Sequence, residues 1–317
     1  MINKRLISLV IPVFNEEENV ELFYQRLCAV ADNLNSFDFE FIFTDNNSQD
    51  ATYSILEKLA EQDSRIRVFS FSRNFGYQRS ILLGYQKARG DAAIEFDCDG
   101  QDPPELLQTF LNHWQHGYQI VYGIRKNRKE GFFITELRKM FYRFINSISD
   151  NGELPLDAGD FMLIDRKVLD QLKLIDGHYL YLRGTIFNLG FKKIGFEYSR
   201  EARLRGESKF PLIKMIELAM DGIVNQSIFP LRLASYTGIF VAVITILLAL
   251  IYLTLRIFSL GNTPQGFTTS VLLQLAGIGI NATLLGIIGE YIARVYVQSK
   301  NFPTVIVDKF IDNTRLG

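Results

Sequence analysis

The stretch Leu6-Ile-Ser-Leu-Val-Ile-Pro-Val13, followed at once by Phe14-Asn-Glu-Glu-Glu18, decides how the first half of the chain folds. With Met1-Ile-Asn-Lys-Arg5 ahead of it, the run copies the basic and apolar regions of a signal peptide. It is too short for one, is interrupted by Pro12 and meets three glutamates, so it reads as a buried first strand ending in a loop. Nothing in it exports the domain. Working outward, the apolar periodicity predicts a helix over 19–34, a strand over 39–44, a helix over 51–62, a strand over 66–70, a helix over 78–88 and a strand over 92–96. Gly90 is placed as the C′ residue of the third helix. Strands and helices alternating in this order predict an α/β fold built on a doubly wound, mostly parallel sheet.

Ligands of such sheets sit at the carboxyl ends of the strands. The residues there are Phe14-Asn15-Glu16, Asp45-Asn46-Asn47-Ser48, Ser72-Arg73-Asn74 and Asp97-Cys98-Asp99. No G-x-G-x-x-G follows the first strand, which argues against a nicotinamide cofactor.

The 317 residues are 48% apolar, with 34 Lys+Arg against 35 Asp+Glu and a net charge of -1. The near balance gives no electrostatic reason to expect nucleic acid. The charges are unevenly spread: the 57 residues 233–289 carry one, Arg256, and the other 260 residues hold 68 of the 69. A soluble part of ordinary composition is therefore joined to a membrane part. Cys28 and Cys98 fit neither a disulfide framework nor a zinc site, and read as buried apolar residues of a reduced compartment.

The most informative short stretch is Glu95-Phe-Asp97-Cys-Asp99-Gly-Gln101-Asp102-Pro-Pro-Glu105. Two carboxylates two residues apart at a strand's end, with an amide oxygen two further on, offer hard oxygen ligands to Mg²⁺ or Mn²⁺, which would complete its shell with substrate phosphates. The alternative is an Asp-rich turn that caps a helix opening at Pro103-Pro104. Asp45 alone would be an Asx turn or an N-cap; together with Glu16 it is a candidate for gripping a nucleoside.

These residues resemble a known family, the inverting GT-A-type glycosyltransferases that load sugars onto polyprenyl phosphates, with dolichyl-phosphate mannose synthase and the GtrB-type bactoprenol glucosyltransferases the nearest in kind. The match runs through Val10-Ile-Pro-Val-Phe-Asn-Glu-Glu17, Asp45-Asn-Asn-Ser48, Arg73-Asn-Phe-Gly76, Asp97 to Glu105, Asp157-Ala-Gly-Asp-Phe161 and Arg203-Leu-Arg-Gly-Glu-Ser-Lys209. The resemblance implies that Pro12, Phe14, Glu16 and Asp45 surround the base and ribose, with Asn46 beside them. It implies that Asp97 lies by the nucleotide and can join Asp99 and Gln101 in holding the metal on the diphosphate. It also sets Arg125, Arg203 and Lys209, and less securely Arg138, near the donor and acceptor phosphates. Many relatives have Asp-Asp-Gly-Ser where this chain has Asp45-Asn46-Asn47-Ser48.

Displacing a nucleoside diphosphate from a sugar requires its charge to be neutralised, which a divalent ion and guanidinium groups do. Arginine is apt because its fork matches phosphate oxygens in pairs, although any single arginine here could be a solvated surface residue. Gly206 and Ser208 would let a loop close over the phosphates. The acceptor phosphate is already an anion, so Asp157 and Asp160 are left to position it, steady the developing oxocarbenium ion or take a residual proton. By spacing alone the same residues are a turn before a strand at 161–164.

Residues 233–255 are an uncharged run of 23, about 34 Å as a helix and enough to cross a bilayer, and 267–289 is as long. A turn at 261–266 makes them a helical hairpin with spans of about 233–257 and 267–289. Lys209, Lys214, Arg232, Arg294 and Lys300 flank its open side, which keeps both termini and the catalytic domain cytoplasmic. Amphipathic patterns over 132–148 and 210–229 are either core faces or interfacial helices. Gly277, Gly279, Gly286 and Gly289, with Ala276 and Ala282, give the second span a small-residue stripe suited to packing between subunits as well as within the hairpin.

The expected organisation is a catalytic domain over 1–208, a juxtamembrane amphipathic helix over 209–231, two spans within 232–290 and a cytoplasmic tail over 291–317. The expected protein is a homo-oligomeric enzyme of the bacterial plasma membrane that moves one hexose from a nucleotide sugar, UDP-glucose first, to undecaprenyl or another polyprenyl phosphate. GDP-mannose or a UDP-aminosugar is the alternative donor. A processive or peptide-directed transferase would carry a Gln-x-x-Arg-Trp motif, whereas the only Trp is Trp114. A decayed, non-catalytic membrane scaffold is the reading from another class.

Overall fold

The computed structural model describes residues 4–126, 158–174, 181–201, 266–299 and 303–313, with single positions between 231 and 254. The amino-terminal half opens with β1 (Arg5–Val13), α1 (Val20–Asp32), β2 (Phe37–Asp45), α2 (Thr52–Gln62), β3 (Ile66–Phe71), α3 (Tyr77–Lys87) and β4 (Ala92–Glu95). A 3-10 turn at Pro104–Leu106 then leads into α4 (Leu107–Gln115), β5 (Ile120–Lys126), β6 (Ala158–Asp165), α5 (Arg166–Leu172), α6 (Leu182–Asn188) and β7 (Lys193–Ser199). The long helix α7 (Phe267–Ser299) and the strand β8 (Val307–Asp312) follow.

Among the described residues the strands form one eight-stranded sheet, in the order β7-β5-β6-β4-β1-β2-β3-β8. The run β4-β1-β2-β3 is parallel, as the alternation of strand and helix predicts. Beyond it the sheet is mixed, since β6 lies antiparallel to both β4 and β5, and β8 antiparallel to β3, while β5 and β7 are parallel. Alternate side chains of each strand enter opposite layers. Ile7, Leu9 and Ile11 of β1 pack with Phe23, Leu27 and Phe110 below the helices α1 and α4. Val10 and Ile42 face the other way and pack with Ile81, Leu82 and Tyr85 of α3 and Leu169 of α5. Burial on both faces is why β1 reads as a continuous apolar run.

Gly90 has a different role from the one expected. The helix α3 stops at Lys87 with Ala88 as its extended C-cap, and a Cβ at Gly90 would sit 2.7 Å from the carbonyl oxygen of Leu6 and the nitrogen of Ser8. Glycine is required there by the close passage of β1, not as a left-handed helix cap.

The segment expected as a tail supplies β8, the outer strand of the sheet. Its Asp312 pairs with Arg89 at 2.6 Å and with the buried Arg67 at 3.4 Å. Arg67 in turn donates to Glu40 at 2.8 Å, and Glu40 accepts from Ser8 Oγ and from the Arg89 N–H. Each of these charges has a partner, which a charge out of water requires.

Among the described residues no helix is long and apolar enough to cross a membrane. Most of the expected first span and several side chains of α7 lie outside the described residues. Within α7, Leu273, Ile278, Leu285 and Ile292 are exposed.

Candidate active site

The strand ends converge because their registers align them. Val13 of β1 lies beside Asp45 of β2, Asp45 beside Ser70 of β3, and Val10 beside Glu95 of β4. The loops after β1 and β2 are laced together: Asn15 N–H donates to Ser48 Oγ at 2.9 Å, Gln49 N–H to Asn15 Oδ1 at 2.8 Å, and Glu16 N–H to Thr52 Oγ1 at 2.8 Å. Asn15 and Asn47 adopt left-handed backbone angles, φ 54° and 61°, which asparagine tolerates better than most residues. Phe14 is 43% exposed in this pair of loops, where an aromatic face is available for stacking, and Pro12 lies within β1.

Asp45 is 1% exposed, and its carboxylate accepts from the Ser48 N–H at 3.0 Å and the Ser70 hydroxyl at 2.7 Å. These two bonds fix the loop at the end of β2. Asn46 Oδ1 accepts from the Phe75 N–H at 2.8 Å, which orders the Arg73-Asn-Phe-Gly76 loop, and the Arg73 guanidinium lies 4.2 Å from the Phe75 ring centroid. Glu16 accepts from Asn19 Nδ2 at 2.7 Å.

The carboxylate turn follows β4. Gly100, at φ 70°, turns the chain so that Asp99 Oδ1 accepts the Gln101 N–H at 3.0 Å. The turn does not cap the helix after it, since no side chain bonds the start of the 3-10 turn at Pro104. Asp102 instead is fully buried and accepts from the Tyr198 hydroxyl, from Arg200 Nε at 3.1 Å and from Arg200 Nη2 at 3.2 Å. Asp97 accepts from the Tyr77 hydroxyl at 2.6 Å on one oxygen and from Arg200 Nη2 at 3.0 Å on the other. Burial, then the nearby Asp102 and Asp99 charges, push the Asp97 carboxyl up to about 7. Burial, followed by Asp97 and Asp160, drives Glu95 well above the usual carboxylate range, and its Oε2 is buried with no hydrogen-bond partner.

Arg125 reaches this cluster from β5, with Nη2 3.9 Å from Asp102 and Nε donating to the Tyr198 hydroxyl at 3.4 Å. Gly159 leaves room for it, because a Cβ there would come 3.1 Å from Nη2. Asp160 lies on β6 and is paired with Arg183 of α6 at 3.1 Å, with Gln78 donating to it at 3.4 Å. Arg138, Asp157, Arg203 and Lys209 lie outside the described residues.

The structure thus brings Asp97, Asp99 and Gln101 onto one turn, sets Arg125 beside the adjoining Asp102, and sets Phe14, Glu16, Asp45 and Asn46 along the neighbouring strand ends. It adds Tyr77, Glu95, Asp102, Tyr198 and Arg200. Glu95 and Asp102 flank the Asp97-x-Asp99 pair in sequence, and Tyr77 directly follows the Arg73–Gly76 motif. Arg200, three residues before Arg203, has no such signal.

Oxygen donors from two carboxylates and an amide suit a hard divalent cation. Among the described residues no group of three His, Cys, Asp or Glu side chains is arranged to hold a metal by itself. Such an ion would draw its remaining ligands from a diphosphate.

An α/β sheet whose strand ends gather carboxylates and guanidinium groups is suited to a phosphorylated ligand. The chain belongs to glycosyl transferase family 2, which matches residues 8–173, and it is a glycosyltransferase. It is 41% identical to the uncharacterized glycosyltransferase YkcC of Bacillus subtilis (strain 168), over 98% of this chain and 96% of that one. It is 36% identical to the SfII prophage-derived bactoprenol glucosyl transferase of Shigella flexneri, over 96% and 97% respectively. Among solved structures it is similar to mannosyl-3-phosphoglycerate synthase from Rubrobacter xylanophilus, with a TM-score of 0.49 and 16% identity over 73% of this chain and 75% of that one.

Proposed function

We propose that the enzyme transfers one hexose, with inversion, from a nucleotide sugar to the phosphate of undecaprenyl or another polyprenyl phosphate at the cytoplasmic face of the membrane. The observation that carries this reading is the Asp97–Asp99–Gln101 turn at the end of β4, with Arg200 on Asp97 and Arg125 beside the adjoining Asp102. The name of the Shigella flexneri relative, a bactoprenol glucosyl transferase, supports a polyprenyl phosphate acceptor and UDP-glucose as the first donor to test.

In the reaction an acceptor phosphate oxygen attacks the anomeric carbon, and the bond from that carbon to the nucleoside diphosphate breaks, its electron pair leaving with the diphosphate. Mg²⁺ or Mn²⁺, held by Asp99 and Gln101 with Asp97, would neutralise that leaving charge. Arg125, Arg203 and Lys209 supply further positive charge to the phosphates, Arg138 is a further candidate, and Phe14, Glu16 and Asp45 frame the nucleoside. Asp157 and Asp160 orient the acceptor.

The membrane reading rests on the single charge in residues 233–289 and on the exposed apolar side chains of α7. Seven residues, 300–306, separate α7 from β8, at most about 25 Å of extended chain. The carboxyl end of α7 and the catalytic sheet are then on one side of the bilayer, with a cytoplasmic tail passing through β8. Gly277, Gly279, Gly286 and Gly289 have open space where a Cβ would stand, which supports helix packing between subunits.

The test incubates the full-length chain with Mg²⁺ or Mn²⁺, polyprenyl phosphate and a panel of labelled UDP- and GDP-sugars. Organic-soluble label from one donor is expected. Absence of label from every donor, together with absent nucleotide binding, would favour the scaffold. For the topology, a thiol introduced as Gln265→Cys should react with an impermeant reagent only from outside the cell, and labelling only from inside would refute the hairpin.

A further inference from the structure

We propose that Arg200 is a positioning residue that makes divalent-cation binding at Asp97 and Asp99 wait for the nucleotide. The inference rests on the metal reading above. Arg200 leaves the end of β7 and forks onto Asp102 through Nε and Nη2, at 3.1 and 3.2 Å. The same Nη2 also reaches Asp97 at 3.0 Å. The guanidinium thus has a firm anchor and a shared contact. Asp102 is fully buried, is further held by the Tyr198 hydroxyl, and has Arg125 at 3.9 Å. Asp97, with 23% of its side chain exposed, is the partner that can be given up without stranding the arginine.

The backbone beside Arg200 is fixed to the carboxylate turn. The Glu201 N–H donates to the Gln101 carbonyl at 2.9 Å, and the Glu201 carboxylate pairs with Arg26 at 3.0 Å. Arg26 also grips Glu105 at 2.6 Å, closing a clasp between α1, the start of the 3-10 turn and the chain after β7. Arg200 is therefore held at a set distance from Asp97 and Asp99.

With both Asp97 oxygens engaged, by Tyr77 and by Arg200, a divalent ion arriving alone must displace the guanidinium contact and stand close to its positive charge. A nucleoside diphosphate removes both obstacles. Its oxygens match the arginine fork and draw it off Asp97, and its charge compensates the two cations together. Ion and nucleotide then bind with positive coupling, each raising the affinity for the other by the same factor.

The test measures Mn²⁺ affinity of the full-length chain by the electron paramagnetic resonance signal of free Mn²⁺, alone and with UDP, repeated with GDP. In the wild type one nucleotide is expected to raise Mn²⁺ affinity about tenfold or more, within the usual range of coupling between sites. Arg200→Gln should bind Mn²⁺ alone about tenfold more tightly and lose most of the nucleotide effect. Arg200→Lys, which keeps the charge but not the fork, should still bind Mn²⁺ alone as weakly as the wild type. If the wild type binds Mn²⁺ equally well with and without nucleotide, the proposal is overturned whatever the variants do. If nucleotide coupling is intact but Arg200→Gln leaves Mn²⁺ affinity unchanged or weaker, the assignment to Arg200 fails alone. If no Mn²⁺ binds with either nucleotide, the metal reading fails and the proposal with it.

Discussion

Replacing Tyr77 by phenylalanine isolates the one hydroxyl that fixes Asp97 from the α3 side. Its oxygen donates to Asp97 Oδ1 at 2.6 Å and lies 3.2 Å from Glu95 Oε1. A hydrogen bond to a charged acceptor contributes about 1.5–3 kcal/mol. Tyr77 is 40% exposed as a residue, so solvent screening sets the value at the lower end, about 1.5 kcal/mol. Because that bond favours the ionised carboxylate, its loss raises the Asp97 carboxyl by about one pH unit, from about 7 to about 8. At pH 7 the ionised fraction would fall from about a half to about a tenth, a loss of about fivefold. The assay is kcat/KM for sugar transfer across the pH range, since its acidic limb reports the free enzyme's titrating groups, here the interacting pair Asp97 and Glu95. The limb of Tyr77→Phe should move up by about one unit, with the deficit vanishing at alkaline pH. A limb that stays in place, or a loss that is equal at every pH, would refute the reasoning.

Three further outcomes follow from the same geometry. Asp97 has an ordinary carboxyl value of 3.8 and is raised to about 7 in the fold, so the folded chain binds its proton more tightly and stability without metal falls as pH rises between those values. The slope is at most about 1.4 kcal/mol per pH unit from this group, and thermal melts in a chelating buffer that rise with pH over that window would contradict it. Asp312→Ala removes a carboxylate shared by Arg67 and Arg89; with Glu40 still on Arg67 the cost is about 2 kcal/mol, read by denaturant unfolding, and an unchanged midpoint would mean that β8 is not held by this network. Asp157→Asn should keep the fold and nucleotide binding but abolish transfer, and near-normal turnover in the label assay would end that assignment.

The parallel half of the fold is legible because its signals are local. Leu6 to Val13 is apolar at nearly every position, Ser8 apart, because helices cover both faces of β1, and the apolar spacing of α1 to α3 marks the sides they turn to the sheet. The strand β8 is not legible in this way. Val307-Asp-Lys-Phe-Ile-Asp312 has a half-exposed pattern, and what makes it a strand is pairing with β3, more than two hundred residues away. Gly90 shows the same limit, since a glycine after a helix looks like a cap until the neighbouring backbone of β1 is in view.

In the site, Asp97, Asp99 and Gln101 announce themselves because the ligands share one turn. Asp102, directly before Pro103-Pro104, has the local look of a helix cap, and only the fold shows its carboxylate turned to Tyr198 and Arg200. Arg200 is one basic residue among 34 Lys and Arg, and its partners are 98 and 103 residues away, a spacing that carries no signal in the sequence. Asp45 marks another case: its residue type suggests a grip on ribose, and the fold adds that the same carboxylate is bonded to Ser48 and Ser70.

The most direct measurement is the structure of the lipid product. Nuclear magnetic resonance of the material formed from polyprenyl phosphate and an α-linked nucleotide sugar should show a single phosphate joining the lipid to the sugar, with a β anomeric linkage. A retained α linkage, or a diphosphate formed by transfer of sugar phosphate, would contradict it.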